Sequence, residues 1–201
     1  MPIICLTGGI AAGKSTAARY FATRGAKIID ADQLGHATYE AGTAANDRLV
    51  ETFGIAVRAE DGGIDRKVLG GMVFGKPEAL QQLTDIVWPE IRLLAAAQTQ
   101  SLLKEDPNAI VILEAAVLFE AGWEDIGDAT WVVMAEPEVA IMRAMARDGL
   151  TREAIEKRLS SQLSNTDRAA RADLVIENNT LEADFLAALD AAWLGIAPVK
   201  D

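Results

Sequence analysis

The sequence predicts an α/β protein in which helices cover both faces of a five-stranded parallel sheet. Short apolar runs rich in β-branched residues alternate with longer segments of helical periodicity, as expected when parallel strands are joined by helices. A glycine-rich segment separates the first such run from the first helical segment. The chain has 201 residues, of which 50% are hydrophobic and 24% charged, a composition that suits a globular protein with a sizeable core.

The first strand is predicted at residues 3–6, and the segment after it matches the phosphate-loop pattern of Gly, four residues, Gly, Lys and Ser or Thr. Gly8 and Gly13 allow a tight turn in which successive N–H groups face one anion, and the positive end of the following helix points to the same place. Lys14 is expected to reach the terminal phosphates and the Ser15 hydroxyl to ligate Mg²⁺. We therefore predict a nucleoside triphosphate site. Its residues in this segment are Gly9, Ala11, Ala12, Gly13, Lys14, Ser15 and Thr16.

The other predicted elements follow in order along the chain. Strand two is expected at residues 26–32, with Asp30 and Asp32 at its carboxyl end. Residues 34–104 have mostly helical spacing, more than a crossover between strands needs, so we interpret them as a substrate-binding subdomain. Strands three, four and five are predicted at residues 109–114, 130–134 and 173–176, and a final helix at 181–194.

Charge and cysteine content exclude several classes of protein. The net charge of −11 and the pI near 4.6 argue against a nucleic-acid-binding surface, which would present a basic patch. Cys5 is the only cysteine and cannot form an intrachain disulfide, which suits a reducing compartment. No signal peptide and no uncharged apolar run long enough for a membrane span are visible. We expect a cytoplasmic protein without membrane or nucleic-acid partners. The sequence carries no signal for its oligomeric state.

Three carboxylates follow predicted strands. Ligands of open parallel sheets gather at the carboxyl ends of the strands, so the phosphate loop, Asp32 and Glu114 are expected along one crevice. Asp32 could accept the proton of a substrate hydroxyl, with Asp30 as the less favoured candidate; the alternative is that Asp32 caps the next helix. Glu114 could assist the metal ion; the alternative is a helix cap or a solvated strand end.

A basic segment occupies residues 143–171 and holds seven of the 19 lysines and arginines. Arg143 and Arg147 are four residues apart and therefore share a helix face. Arginines that fold over a triphosphate would neutralise the charge that develops in phosphoryl transfer. The alternative is a solvated helix face, since Asp148, Glu153 and Glu156 lie among these arginines.

Taken together, the motifs resemble those of the dephospho-coenzyme A kinase family over nearly the whole chain. The segments that carry the resemblance are residues 6–16, 29–32 with His36, 63–66 with Leu69, Val73 and Phe74, 147–151, Gln162, and 172–179. Two motifs depart from the common pattern: its His-Pro is Trp88-Pro89 here, and its Asp-x-Pro-Leu-Leu is residues 114–118, Glu-Ala-Ala-Val-Leu. In these two motifs the chain looks more like the kinase half of bifunctional coenzyme A synthases.

The resemblance implies a fold of the phosphate-loop nucleoside triphosphate hydrolase type and a three-part organisation. The nucleotide-binding core would comprise residues 1–33, 105–140 and 170–201, the helical coenzyme A domain residues 34–104, and the lid residues 141–169. It also implies phosphorylation of the ribose 3′-hydroxyl of dephospho-coenzyme A, with ATP as donor and Mg²⁺ as metal. In the family the acid at Asp32 would be the base, Arg143 and Arg147 would clamp phosphates, and Asn178 would lie near the adenine.

Two other functions compete with this interpretation. The first is another phosphate-loop kinase that acts on a nucleotide or a sugar. The second is a GTPase-like switch, for which residues 32–35 offer a loose Asp-x-x-Gly after strand two. No Asn-Lys-x-Asp motif that could read guanine occurs in the chain, which disfavours the switch. A comparison of ATP and GTP affinity would separate the two classes.

Overall fold

A computed structural model describes residues 2–196 of the chain and contains a five-stranded sheet of order β2-β3-β1-β4-β5. Its strands are β1 (Ile3–Gly8), β2 (Lys27–Asp30), β3 (Val111–Glu114), β4 (Ala129–Met134) and β5 (Leu174–Glu177). Strand β1 pairs in parallel with both β3 and β4, and β4 pairs in parallel with β5. The predicted α/β fold with a five-stranded parallel sheet is confirmed.

The register of the sheet decides what surrounds the phosphate loop. Leu6 of β1 lies opposite Glu114, the last residue of β3. Gly8, the last residue of β1, lies opposite Val133 of β4. The chain therefore leaves β1 for the loop between the carboxyl ends of two neighbouring strands.

The helices of the described residues include a long one inside the predicted substrate-binding region. They are α1 (Lys14–Thr23), α2 (Ala31–Ala37), α3 (Ala44–Phe53), α4 (Arg66–Val73), α5 (Pro77–Glu105), α6 (Pro137–Asp148), α7 (Arg152–Ser160), α8 (Asn165–Ala170) and α9 (Glu182–Leu194). The chain separates into two compact units, one of residues 1–29 and 99–201 and one of residues 30–98. The finer three-part division with a lid stays a prediction.

The first unit has its core between the sheet and the helices that cover it. Phe21 of α1 is fully buried and lies edge-on to Trp131 of β4, with 5.5 Å between the ring centroids. Phe185 and Leu189 of α9 are buried in the same cluster. Cys5 is buried too, and burial raises the pKa of its thiol to about 12, which suits the expected role of a small core residue.

The second unit has a small core of its own, to which Leu49, Val57, Leu69 and Val73 contribute fully buried side chains. The buried Asn46 side chain donates to the carbonyls of Tyr39 and Gly62, at 3.0 Å each, and so ties two loops to α3. No helix among residues 2–196 is long and apolar enough to cross a bilayer.

Strand β2 ends two residues before the end predicted from the sequence. The Asp30 side chain accepts hydrogen bonds from the N–H groups of Asp32 (2.9 Å) and Gln33 (3.2 Å), so it caps α2 and stops the extended backbone. Asp32 lies in the first turn of that helix. The cap that we considered for Asp32 is therefore Asp30, and the alternative role for Asp32 is wrong.

Candidate active site

The phosphate loop joins the buried strand β1 to α1 through two residues in the left-handed backbone region. Ala11 has φ of 52° and Gly13, the N-cap of α1, has φ of 108°. A Cβ on Gly13 would lie 2.3 Å from the Asn178 amide nitrogen, so no larger residue fits there. No side chain caps the start of α1, and this helix end is therefore suited to bind an anion.

Two polar side chains of the loop region donate to one carboxylate oxygen of Glu114. Lys14 Nζ lies 2.6 Å from Glu114 Oε1, and the Ser15 hydroxyl donates to the same oxygen at 2.7 Å. The carboxylate is buried, as only 6% of Glu114 is exposed, so the solvated strand end considered for this residue is excluded. Glu114 thus accepts hydrogen bonds from the two residues that the motif assigns to the phosphates and the metal ion.

Arg143 reaches the loop through Asn178. Its Nη1 donates to the Asn178 backbone carbonyl at 2.8 Å and its Nη2 to the Asn178 side-chain oxygen at 3.2 Å. The buried Asn178 amide in turn donates to the carbonyl of Ala12 at 2.8 Å. Helix α6, the end of β5 and the phosphate loop are therefore joined by one chain of hydrogen bonds.

Arg147 lies differently, although it shares the helix with Arg143. Its side chain is 63% exposed and forms two hydrogen bonds with Asp148, at 2.7 and 2.9 Å. The bond to Asp148 raises the pKa of Arg147 and lowers the pKa of the Asp148 carboxyl. The structure thus brings Arg143 to the loop, whereas it pairs Arg147 with its sequence neighbour.

Two residues that the sequence did not single out as site residues lie beside the loop. The Ile10 N–H donates to the Gln162 side-chain oxygen at 3.1 Å. Arg168 Nη1 lies 3.5 Å from the position that a Cβ on Gly9 would take. Gln162 had a signal only in the family resemblance, and Arg168 was one of seven basic residues in its segment. Long-range contacts of this kind leave no local pattern in the sequence.

Asp32, the predicted base, belongs to the second unit. It is exposed in the first turn of α2, and the Asp30 carboxylate holds the backbone there. Asp32 is thus an exposed residue in the first turn of a helix that Asp30 caps.

Comparisons with known proteins identify the family of the chain. The family model described as "Dephospho-CoA kinase" matches residues 2–184. A dephospho-CoA kinase from Geobacter sulfurreducens is 41% identical over 193 residues, which cover 96% of this chain and 98% of the relative. Another from Anaeromyxobacter dehalogenans is 42% identical over 178 residues, which cover 89% of this chain and 84% of the relative.

Solved structures point the same way. A crystal structure from Thermus thermophilus has a TM-score of 0.81 at 34% identity and covers 98% of both chains. A dephospho-CoA kinase from Campylobacter jejuni has a TM-score of 0.66 at 28% identity and covers 97% of both. A shikimate kinase from Acinetobacter baumannii, at 18% identity and a TM-score of 0.54, shares the fold. With nearly its whole length matched, the chain belongs to the dephospho-CoA kinase family, whose members transfer a phosphate to an alcohol group.

Proposed function

We propose that this chain transfers the γ-phosphate of ATP to the ribose 3′-hydroxyl of dephospho-coenzyme A at the phosphate loop. The observation that carries the proposal is the convergence of Lys14 and Ser15 on Glu114 beside that loop. A loop with an open helix end and a lysine at its rim is built to bind a triphosphate. The family supplies the donor and the acceptor.

Lys14 and Ser15 change partners when the triphosphate binds. Both donate to Glu114 Oε1, and this contact keeps the ammonium at the loop and restricts its rotamers. Bound phosphates offer stronger acceptors, so Lys14 turns to the terminal phosphates without first having to be ordered. Glu114 therefore holds the cation close to the place where it acts.

Mg²⁺ fits the donors present at this point. No cluster of three or more His, Cys, Asp and Glu side chains that could hold a metal by itself exists in residues 2–196. Mg²⁺ needs none, because it is usually held by one or two protein oxygens together with substrate phosphates and water. The Ser15 hydroxyl and the Glu114 carboxylate supply such oxygens. The bound ion would neutralise charge on the β- and γ-phosphates.

The remaining roles fall to Asp32, Arg143, Arg147 and Asn178. Asp32 takes the proton of the 3′-hydroxyl, for which an exposed carboxylate after strand β2 is suited. Arg143 clamps the phosphates from α6, and Asn178, which Arg143 contacts just after β5, lies near the adenine. The side chain of Arg147, which is exposed on the same helix as Arg143, turns from the solvent to bind the phosphates.

A panel of hydroxyl acceptors tests the proposal. The wild-type protein is incubated with ATP and Mg²⁺ and with dephospho-coenzyme A, a nucleoside, a nucleoside monophosphate or a sugar, and ADP release and the phosphorylated product are both measured. We expect turnover with dephospho-coenzyme A and a product that carries its new phosphate on the 3′-oxygen. Preferred turnover of a nucleotide or a sugar would support the competing kinase function instead.

A further inference from the structure

A cavity of about 640 Å³ lies beside the first half of the phosphate loop. Gly9, Ile10 and Ala12 form one side of it, and the end of β4 with the start of α6 forms another. The third side comes from α8 and the residues before it, including Arg168. Gly9 and Ala12 belong to the predicted triphosphate site, whereas the proposed function gives no role to the third side of the cavity.

Arg168 is the unusual residue of this wall. Only 2% of it is exposed, although arginine is among the residues that are rarely fully buried. Its Nε and Nη2 are buried and have no hydrogen-bond partner within residues 2–196. A buried guanidinium whose donors are left unsatisfied is unfavourable, so a structural role alone explains it poorly.

The contacts that Arg168 does make are few. Its Nη1 donates to the carbonyl of Leu163. Its Nη2 is 3.8 Å from the Glu120 carboxylate, which is too far for a hydrogen bond. Burial lowers the pKa of the guanidinium, and Glu120 offsets this effect only in part. Arg168 is thus a buried cation whose charge is only partly compensated by its neighbours.

The position of Arg168 beside the loop suggests which group could accept hydrogen bonds from its unused donors. Its Nη1 lies 3.5 Å from the position that a Cβ on Gly9 would take, and the Gln162 side-chain oxygen accepts from the Ile10 N–H. A phosphate oxygen beside this half of the loop would be within reach of the guanidinium after rotation about its terminal side-chain bonds. Arginine offers phosphate two parallel N–H donors, which matches the two donors left unused here.

We propose that Arg168 binds the transferred phosphoryl group of ATP, an inference that rests on the proposed function. During transfer the acceptor oxygen forms its bond to the γ-phosphorus, and the bond from that phosphorus to the β,γ-bridging oxygen breaks. The hydroxyl proton passes to the base, and ADP leaves with the electron pair of the broken bond. Arg168 stabilises the charge on the γ-phosphate oxygens in this step, when Nη2 turns away from Glu120 and Nε and Nη2 donate to those oxygens.

The test compares the binding of ATP and ADP, which differ only in the γ-phosphate. Isothermal titration of Arg168→Met with each nucleotide and Mg²⁺, without acceptor, should show ATP affinity reduced about tenfold or more relative to ADP affinity. The kcat should fall by about 100-fold or more, and the affinity for dephospho-coenzyme A should stay unchanged. Arg168→Lys retains the charge without the planar fork and should lose part of the preference for ATP.

Two control variants separate this role from a structural one. Arg171 lies three residues after Arg168, pairs with Glu124 and stacks on the Phe119 ring. Arg171→Met should leave the ratio of ATP affinity to ADP affinity at the wild-type value. Glu120→Gln removes the acid that now faces Arg168 and should also preserve that ratio. In thermal melts, Arg168→Met should match or exceed the wild-type melting temperature, since it removes a buried charge that is poorly paired.

Several results would overturn the proposal. An unchanged ATP-to-ADP ratio in Arg168→Met shows that the residue does not bind the γ-phosphate. Weaker acceptor binding at an unchanged ratio assigns it to the phosphates of the acceptor instead. A lower melting temperature with a normal ratio makes it structural, and if Arg168→Met does not fold, the ratio in Arg168→Lys decides. Because the titrations contain no acceptor, failure of the proposed acceptor chemistry would appear only in the wild-type turnover.

Discussion

The phosphate loop and the basic segment at residues 143–171 hold their charged and polar groups in opposite ways. At the loop, each functional group is bound by a residue distant in sequence: Glu114 binds Lys14, and Asn178 binds Ala12. In the basic segment, two of the arginines instead form ion pairs at the surface. Arg147 pairs with the adjacent Asp148, and Arg152 pairs with Glu138 and Glu156 at the surface.

This difference shows that the density of arginines is a poor guide to the site. Exposed ion pairs contribute little to stability and exchange partners easily. An arginine in such a pair is therefore free to move toward a ligand but is not held at the site beforehand. Arg143 and Arg168 differ from these two, because Arg143 is bonded to Asn178, which contacts the loop, and Arg168 lines a cavity beside it. The comparison predicts that removing a group fixed at the loop costs more activity than removing one that is paired at the surface.

The largest effect is expected at Lys14. Lys14→Ala removes the cation fixed beside the loop, and we expect kcat to fall by about 10³- to 10⁵-fold, as for other cations on a transferred phosphoryl group. Circular dichroism should show an intact fold. Lys27→Ala, at an exposed lysine of β2, serves as the control and should keep wild-type turnover. Normal turnover in Lys14→Ala would disprove the ATP site.

Asp32→Asn should come next. The amide keeps the size of the side chain but cannot take the proton, so we expect a loss of about 10²- to 10⁴-fold in turnover at nearly unchanged ATP affinity. Asp30→Asn is the matched control. Asparagine caps helices about as well as aspartate, so this variant should keep both its turnover and its melting temperature. If Asp30→Asn loses the rate and Asp32→Asn keeps it, the base is Asp30.

The sequence predicted well those features that depend on local pattern. Strand β1, the phosphate loop and α1 lie where the motif requires them, because glycine placement and apolar runs determine them locally. The end of β2 was predicted two residues too late. Residues 26–32 were interpreted as one extended strand, whereas Asp30 caps a helix that begins at residue 31. A side-chain cap and a continued strand have similar local composition.

The structure shows which of the predicted site residues lie at the phosphate loop, a distinction that the local sequence pattern cannot make. Arg143 and Arg147 share a face by spacing, but the partners available to each decide where the side chain lies: Asn178 for the first and Asp148 for the second. The burial of Arg168 depends on packing between segments far apart in sequence. The base and phosphate-clamp roles predicted for Asp32, Arg143 and Arg147 stay predictions.

A smaller effect should separate the two arginines of α6. Arg143→Ala removes both donors to Asn178 and should lower kcat by about 100-fold. Arg147→Ala removes an exposed group and should lower kcat by about tenfold. In both variants the KM for the acceptor should change less than kcat. Steady-state kinetics with each substrate varied will measure this, and wild-type turnover in both variants would make the segment a solvated helix face.

The smallest expected effect is on the titration of Asp148. The Arg147 hydrogen bond holds the pKa of this carboxyl below its ordinary value. Its contribution to stability is therefore complete above the ordinary value and is lost as the pH falls through the lowered one. Arg147→Met should return the pKa toward the ordinary value, which carbon-detected NMR can follow.

Nucleotide binding turns this titration into a test of where Arg147 goes. If Arg147 leaves Asp148 for the phosphates, a non-hydrolysable ATP analogue should raise the pKa of Asp148 in the wild-type protein. The negative charge of the triphosphate also raises that pKa by itself, and the shift in Arg147→Met measures this contribution alone. A wild-type shift larger than the shift in the variant indicates that Arg147 changes partners. Equal shifts would show that it stays with Asp148, and only Arg143 would then remain as the phosphate clamp of α6.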